Sequence, residues 1–208
     1  MNKEFGTNQV RLVGKVMEKP VYSHEVYGEG FYLTRVKVIR KSEAADEIPV
    51  MMSERMCNVS ELQIGDRLRI TGQFRSFNRH EEEKNYLVLS VFVREIEFLD
   101  DMQQDLEENE IVLDGYICKK PIYRKTPLDR EITDLMVAVS RSYGKSDYIP
   151  CICWGRNARF ASNLEIGNRV KLCGRIQSRE YNKKISETEV EKRVAYEASI
   201  SKIEHLED

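Results

Sequence analysis

Two stretches of the chain repeat each other: residues 8–22 read NQVRLVGKVMEKPVY, and residues 109–123 read NEIVLDGYICKKPIY. Six positions are identical and three more exchange Val for Ile, at a constant offset of 101 residues. Residues 62–72 match residues 164–174 at an offset of 102, and a shorter match lies near the end of each repeat. Because collinear matches rarely arise by chance, we predict two homologous domains of about 100 residues each.

Each repeat is predicted to be built from β-strands. In the first repeat, apolar residues alternate with polar or mixed neighbours at residues 10–16, 68–74 and 87–93. This is the period of a strand with one buried face. The second repeat shows the same alternation at residues 111–117, 137–139, 170–176 and 196–200.

One segment in each repeat has a helical pattern, residues 54–62 and residues 156–164. Three strands, a short helix and two strands are the order of an OB-fold, a five-stranded Greek-key barrel. The predicted fold class is therefore all-β, with two tandem OB-fold barrels and a short helix between strands 3 and 4 of each. Another small β-barrel is the alternative, since strand order does not fix topology. The predicted boundaries are 1–100 for the first repeat, 101–108 for an acidic linker and 109–208 for the second repeat.

Composition excludes several classes of protein. Of the 208 residues, 41% are hydrophobic and 33% charged, which is typical of a globular protein and not of a disordered or fibrous one. The sequence shows no membrane-spanning run and no signal peptide. The five cysteines are odd in number and irregularly spaced, which predicts reduced thiols and a cytoplasmic location. Neither a metal site nor a cofactor is predicted.

Charge is distributed unevenly along the chain. Residues 101–110 carry five acids and no bases, whereas residues 111–184 carry 15 bases and 7 acids. A basic module of this kind favours a polyanionic partner, although a solvated basic surface without a partner is an equal alternative. The sequence contains no phosphate-binding loop, nucleophile elbow or zinc-protease helix, so we predict a binding protein and not an enzyme.

The strand predicted at residues 169–181 places bases and an aromatic residue on one outward face. Two lysines follow it, and the matching strand of the first repeat has a similar face. The candidate contacts are Arg169, Lys171, Arg175, Arg179, Tyr181, Lys183 and Lys184 in the second repeat, and Arg67, Arg69, Arg75, Phe77 and Arg79 in the first.

A second set of aromatic residues points to the same partner. Tyr148 and Trp154 lie six residues apart on a predicted strand and so share a face, and Tyr143 precedes them. Bases can neutralise phosphates while flat rings stack on exposed nucleobases, which is what single-stranded nucleic acid requires. Core packing is the alternative role for each ring taken alone.

The second repeat resembles the bacterial single-stranded DNA-binding protein (SSB) family. The resemblance rests on VAVSRSY at residues 137–143, ICWGR at 152–156, Ala-Ser and Ile-Gly at 161–162 and 166–167, and GRIQSREY at 174–181. It implies an OB-fold whose stacking residues fall on Tyr143, Tyr148, Trp154 and Tyr181. It also implies a working assembly of four OB-folds, which a tandem chain reaches as a homodimer.

The first repeat and the C-terminus depart from that pattern. The counterparts of the four stacking residues are near Ser42, Glu47, Met52 or Ser53, and Arg79, and none is aromatic. From the last residues of the sequence we do not expect the family's flexible tail with its acidic tip, which puts recruitment of replication partners through a tail in doubt.

We therefore predict sequence-independent binding of single-stranded DNA in replication, repair or recombination. One alternative is an OB-fold interaction module, such as a replication-restart scaffold, with weak nucleic-acid binding. Another is RNA binding, because stacking alone does not distinguish ribose from deoxyribose.

Overall fold

The computed structural model describes residues 6–40, 42–81, 84–100, 107–184 and 190–207. Its described residues form twelve strands connected in one continuous hydrogen-bonded sheet that closes into two barrels. Within these ranges no helix has the length and hydropathy needed to cross a membrane.

The first barrel closes in the order β1-β3-β4-β6-β5-β1, with β4 and β6 parallel and the other pairs antiparallel. This is the strand order of an OB-fold, so the predicted fold class is confirmed. An additional short strand, β2, forms a hairpin with β3. The strands are β1 (Asn8–Val16), β2 (Val21–Val26), β3 (Glu29–Ile39), β4 (Ala45–Ser53), β5 (Arg67–Glu81) and β6 (Lys84–Phe98).

The second barrel repeats this arrangement in the order β7-β9-β10-β12-β11-β7, with β10 and β12 parallel and β8 in a hairpin with β9. Its elements are β7 (Glu108–Ile117), β8 (Ile122–Lys125), β9 (Glu131–Ser140), β10 (Ser146–Trp154), α1 (Gly155–Ala161), β11 (Arg169–Lys184) and β12 (Val190–Leu206). The start of β7 lies at the end of the predicted acidic linker, most of which, residues 101–106, falls outside the described part of the chain. The domain boundaries stay a prediction.

The two predicted helices differ. The second repeat forms the seven-residue helix α1, whereas the first has only a 3-10 turn at Val59–Glu61. Asn58 explains part of the difference, because its side chain donates to Glu61 and accepts a hydrogen bond from Ser60. Such local side-chain bonds compete with a helical backbone.

A glycine shared by the repeats allows β1 to cross β3 at close range in the first barrel, and β7 to cross β9 in the second. A Cβ atom on Gly14 would lie 2.5 Å from the carbonyl oxygen of Lys37, and one on Gly115 would lie 2.5 Å from that of Ala138. A side chain at either position would force the crossing strands apart. The glycines in the repeated motif are therefore required by barrel closure.

The barrels join through their first strands. β1 and β7 pair antiparallel, and Val10 lies opposite Ile111, its own counterpart in the other repeat. The repeats are thus related by an approximate two-fold axis at this residue pair, which is the arrangement of a symmetric dimer within one chain.

Two equivalent clamps fasten each barrel to the long hairpin of the other. The fully buried carboxylate of Asp46 accepts a hydrogen bond from Arg40 Nε at 2.7 Å and from the backbone N–H of Ser178 in β11 at 2.8 Å. The second clamp has the same contacts between Asp147, Arg141 and Ser76 in β5. Each buried charge is therefore satisfied by an arginine of its own repeat and a backbone donor of the other.

Candidate nucleic-acid interface

A groove of about 610 Å³ runs along the outer face of the second barrel. We call it the basic groove, because five arginines and one acidic residue line it together with an exposed aromatic ring. These residues are Arg40, Arg124, Arg130, Arg175, Arg179, Glu197 and Trp154. An excess of arginine around an aromatic ring is suited to a phosphate backbone with exposed bases.

Trp154 lies at the end of β10 with 36% of its surface exposed. Its indole Nε1 donates a hydrogen bond to Ser199 Oγ of β12 at 3.2 Å, which fixes the orientation of the ring. Gly155, with a φ of 54°, turns the chain directly into α1. The ring is therefore anchored at one edge and open to the basic groove, as the stacking prediction requires.

On the wall of the basic groove formed by β11 and β12, the positive charge of Arg175 is not paired with a carboxylate among the contacts of the described residues. Gln177 donates to Glu197 at 2.7 Å, and Glu197 also pairs with Arg179 at 3.4 Å. Arg175 donates only to the neutral amide oxygen of Gln177, at 3.3 Å, among the contacts of the described residues. Burial and the nearby Arg40 lower the pKa of Arg175. An anion close to Arg175 would be favourable.

The hairpin of β8 and β9 supplies two arginines that the sequence analysis did not single out. Arg124 is paired with Asp134 at 2.6 Å, and Arg130 lies in the turn before β9. Glu131 fastens this hairpin to α1 through Arg159, and bonds to Arg159 and Tyr123 lower its pKa to about 2. The run RKTPLDR at residues 124–130 was the available signal, but nothing local shows that it faces the groove.

The remaining predicted stacking residues extend away from the basic groove. Tyr148 is on the same face of β10 as Trp154, 46% exposed, and about 20 Å away along the strand. Tyr181 is 37% exposed on β11, with the Arg179 guanidinium 5.9 Å from its ring centre. Tyr143 is in the 3-10 turn Ser142–Gly144 between β9 and β10. The structure thus distributes Tyr148, Trp154 and Tyr181 over β10 and β11 and does not bring these three rings into one cluster.

The basic strand is divided between two environments. Over residues 169–174, β11 pairs with β7, and there Arg169 bonds to Asp114 at 3.0 Å while Lys171 lies opposite both Asp114 and Glu204. In the first barrel Arg69 pairs with Glu97 in the same way, and Arg67 lies at the start of β5. The acids come from neighbouring strands, so alternation within a single strand could not reveal them.

The far ends of the long hairpins remain basic and exposed. Lys183 and Lys184 follow Tyr181 at the end of β11, and all three are exposed. In the first barrel, Phe77 is 46% exposed and Arg79 is exposed close to the end of β5.

The face of the first barrel that corresponds to the basic groove is filled by its own side chains. Ser53 stands where the second barrel has Trp154, and Phe92 stands where it has Ser199. The Arg75 guanidinium lies 3.9 Å from the centre of the Phe92 ring, which also packs near Phe31 with 5.8 Å between ring centres. Burial and two nearby arginines lower the pKa of Arg75 to about 10.

Within the described ranges no three His, Cys, Asp or Glu side chains are grouped as metal ligands. Cys151 and Cys153 are buried in the core of the second barrel. Burial raises the pKa of Cys153 to about 12 and that of Cys151 well above its ordinary value. Both thiols therefore stay protonated.

Comparison with known proteins points to one family. Residues 108–206, which form the second barrel and make up just under half of the chain, match the Single-strand binding protein family. The second barrel is therefore similar to that family. The single-stranded DNA-binding protein 2 of Listeria innocua is 33% identical over 93 residues, which cover 39% of this chain and 58% of that protein. Single-stranded DNA-binding protein A of Bacillus subtilis is 32% identical over 80 residues, covering 35% and 46%. The chain thus spans about half the length of these curated relatives.

The fold of both barrels together also has a solved counterpart. The wild-type single-stranded DNA binding protein from Thermus aquaticus superposes with a TM-score of 0.77 over 98% of this chain and 94% of that one. The sequences are 18% identical, so this similarity concerns the fold.

Proposed function

We propose that this chain binds single-stranded DNA without sequence preference and without catalysing a reaction. The observation that carries the proposal is Trp154, which is anchored through one edge by Ser199 and exposed in a groove lined by five arginines. The relatives named above, which match over part of their length, are described as single-stranded DNA-binding proteins.

In this proposal the strand follows the outer face of the second barrel. Nucleobases stack on Trp154, and further bases stack on Tyr148 and Tyr181, each stack contributing about 1–3 kcal/mol. Arg175 and Arg179 neutralise phosphates between these rings. Because the bases of a duplex are already stacked on one another, the same surface selects against double-stranded DNA.

The other predicted contact residues differ in whether they lie on, beside or outside the proposed path of the strand. Lys183 and Lys184 extend it along β11, and Tyr143 lies beside it in the turn before β10. Arg75, Phe77 and Arg79 are candidate contacts of the first barrel. The path leaves out four predicted bases near the β1–β7 pairing, a region that we call the central sheet: Arg67, Arg69, Arg169 and Lys171. Three of them face carboxylates there, and Arg67 lies beside them.

We also propose that the chain assembles as a homodimer, which would bring four OB-folds together in the cytoplasm during replication, repair or recombination. The proposal follows the assembly that the family resemblance implies. Light scattering tests it directly, since a monomer at micromolar concentration would contradict it.

The lone tryptophan provides the test of binding. Oligo-dT and a duplex of matched length are titrated into the protein while Trp154 fluorescence is followed at low and moderate salt. We expect saturable quenching by the single strand alone, with a log–log salt slope of about 0.7 per phosphate neutralised. Absence of both quenching and binding in an anisotropy assay would instead support the scaffold function. Competition with a matched RNA oligomer separates DNA from RNA binding.

A further inference from the structure

The basic groove of the second barrel contains one residue from the first barrel. Arg40 follows β3 and lines the groove together with Arg175 and Trp154. It reaches this position through its clamp, because Asp46 binds the Arg40 guanidinium and also holds the backbone of Ser178 in β11. The clamp therefore sets the position of a first-barrel cation relative to the β11 wall.

Both cations retain unused donors. Arg40 binds Asp46 through Nε and Nη2, and its Nη1 has no hydrogen-bond partner among the described residues. Arg175 uses only Nη1, toward Gln177, within the same part of the chain. Both line the basic groove, and Arg40 is close enough to Arg175 to add to the lowering of the Arg175 pKa that burial causes.

We propose that one phosphate of the bound strand is held between Arg40 of the first barrel and Arg175 of the second, so that the basic groove is a composite site. This inference rests on the proposed function. The anion relieves the repulsion between the two guanidinium groups and uses their remaining donors, and a charge-assisted bond of this type is among the stronger ones in proteins. The first barrel thereby contributes to binding although its own face lacks a counterpart of Trp154.

Neighbouring acids determine the side from which the phosphate enters. On the side toward the start of β7, Arg40 and Arg175 line a cavity of about 360 Å³ together with Glu107 and Glu108. Arg175 and Trp154 line another cavity on that side, of about 580 Å³, which includes the same two acids and Glu110. These carboxylates repel an anion on that side. On the groove side the acid is Glu197, which Gln177 and Arg179 already bind. The phosphate is therefore expected from the groove.

The approximate two-fold symmetry supplies a matched control. The double variant Arg40→Gln/Asp46→Asn removes the clamp cation without leaving an unpaired buried carboxylate. The double variant Arg141→Gln/Asp147→Asn makes the same change in the equivalent clamp, beside the first barrel's face. Thermal melting compares the stability of the two, and quenching of Trp154 by a dT oligomer of about eight nucleotides reports on the second barrel alone.

We expect the Arg40 variant to bind about tenfold more weakly at low salt, because it loses the Nη1 donor offered to the phosphate. Its salt slope should change little, since the cation and its carboxylate are removed together. The Arg141 variant should stay within about twofold of the unaltered protein in affinity. Arg40→Lys, which keeps a charged donor, should retain most of the affinity. Equal binding by the two double variants at equal stability would overturn the inference.

A double-mutant cycle tests whether the two arginines share one phosphate. Arg175→Gln alone should weaken binding as the Arg40 variant does, and combining the changes should weaken it no further, because both remove the same contact. Fully additive losses would contradict a shared phosphate. If the unaltered protein gives no quenching, the proposed function fails first and this inference fails with it.

Discussion

The two barrels have the same strand order, the same glycine at the first crossing and equivalent clamps, yet they differ on the outer faces of β4 and β10. The second barrel exposes Trp154 there beside the small side chain of Ser199. The first has Ser53 at the matching position, and Phe92 beside it is covered by Arg75. Differences at a few surface positions thus distinguish an open groove from a filled one on the same barrel framework.

Residues of the barrel framework and residues of the binding surface therefore vary independently between the two barrels. Positions that close the barrels or join them, such as Gly14 with Gly115 and Asp46 with Asp147, keep their residue type in both repeats. Positions that face outward from β4 and β6 in the first barrel, and from β10 and β12 in the second, do not keep their residue type. We therefore expect the first barrel to contribute less to binding than the second, with Arg40 as its residue in the basic groove.

The largest expected effect is on the free energy of unfolding when a clamp is removed, and it should be similar for the two clamps. Asp46→Ala and Asp147→Ala each leave a partly buried arginine and a backbone N–H without their partner. Each should lower the free energy of unfolding by about 3 kcal/mol, as measured by chemical denaturation. Losses that differ by more than about 1 kcal/mol would show that the two clamps are not energetically equivalent.

Next in size is the effect of removing the exposed ring. Trp154→Ala should weaken binding of labelled oligo-dT by about 1–3 kcal/mol in an anisotropy assay, evenly across sequences, because stacking does not read base identity. Ser53→Ala at the matching position of the first barrel is the control and should leave affinity unchanged. Equal losses at the two positions would remove the functional distinction between the barrels.

Sequence patterns were sufficient for the fold, since alternation and the internal repeat are local signals that the hydrogen-bonded barrels confirm. They also placed Trp154, Arg175 and Arg179 among the candidate contacts, and the structure brings these three together in one groove. Arg40 was missed because it reaches the groove across the contact between repeats. Arg124 was missed because the direction of its hairpin depends on tertiary packing.

The sequence also could not predict that the basic residues of β11 lie in two different environments. Lys171 and Arg175 occupy the same face of β11 by alternation, but β7 pairs with the strand only up to Gly174. The register of three strands, and not the composition of one, determines which base faces a carboxylate. The pattern of a single strand therefore does not show which residues lie opposite it on the neighbouring strands.

The smallest expected effect lies on the central sheet, where the barrels should again be alike. Arg69→Gln and Lys171→Gln are counterparts, and each removes a cation that lies beside carboxylates: Glu97 for Arg69, and Asp114 and Glu204 for Lys171. Both should change the free energy of DNA binding by less than about 0.5 kcal/mol and leave the salt slope intact, because exposed cations of this kind are already neutralised. A slope that falls by about 0.7 in either variant would extend the proposed path onto the central sheet. In that case the two barrels would present one continuous binding surface, and the contrast between an open and a filled groove would no longer define where the strand runs.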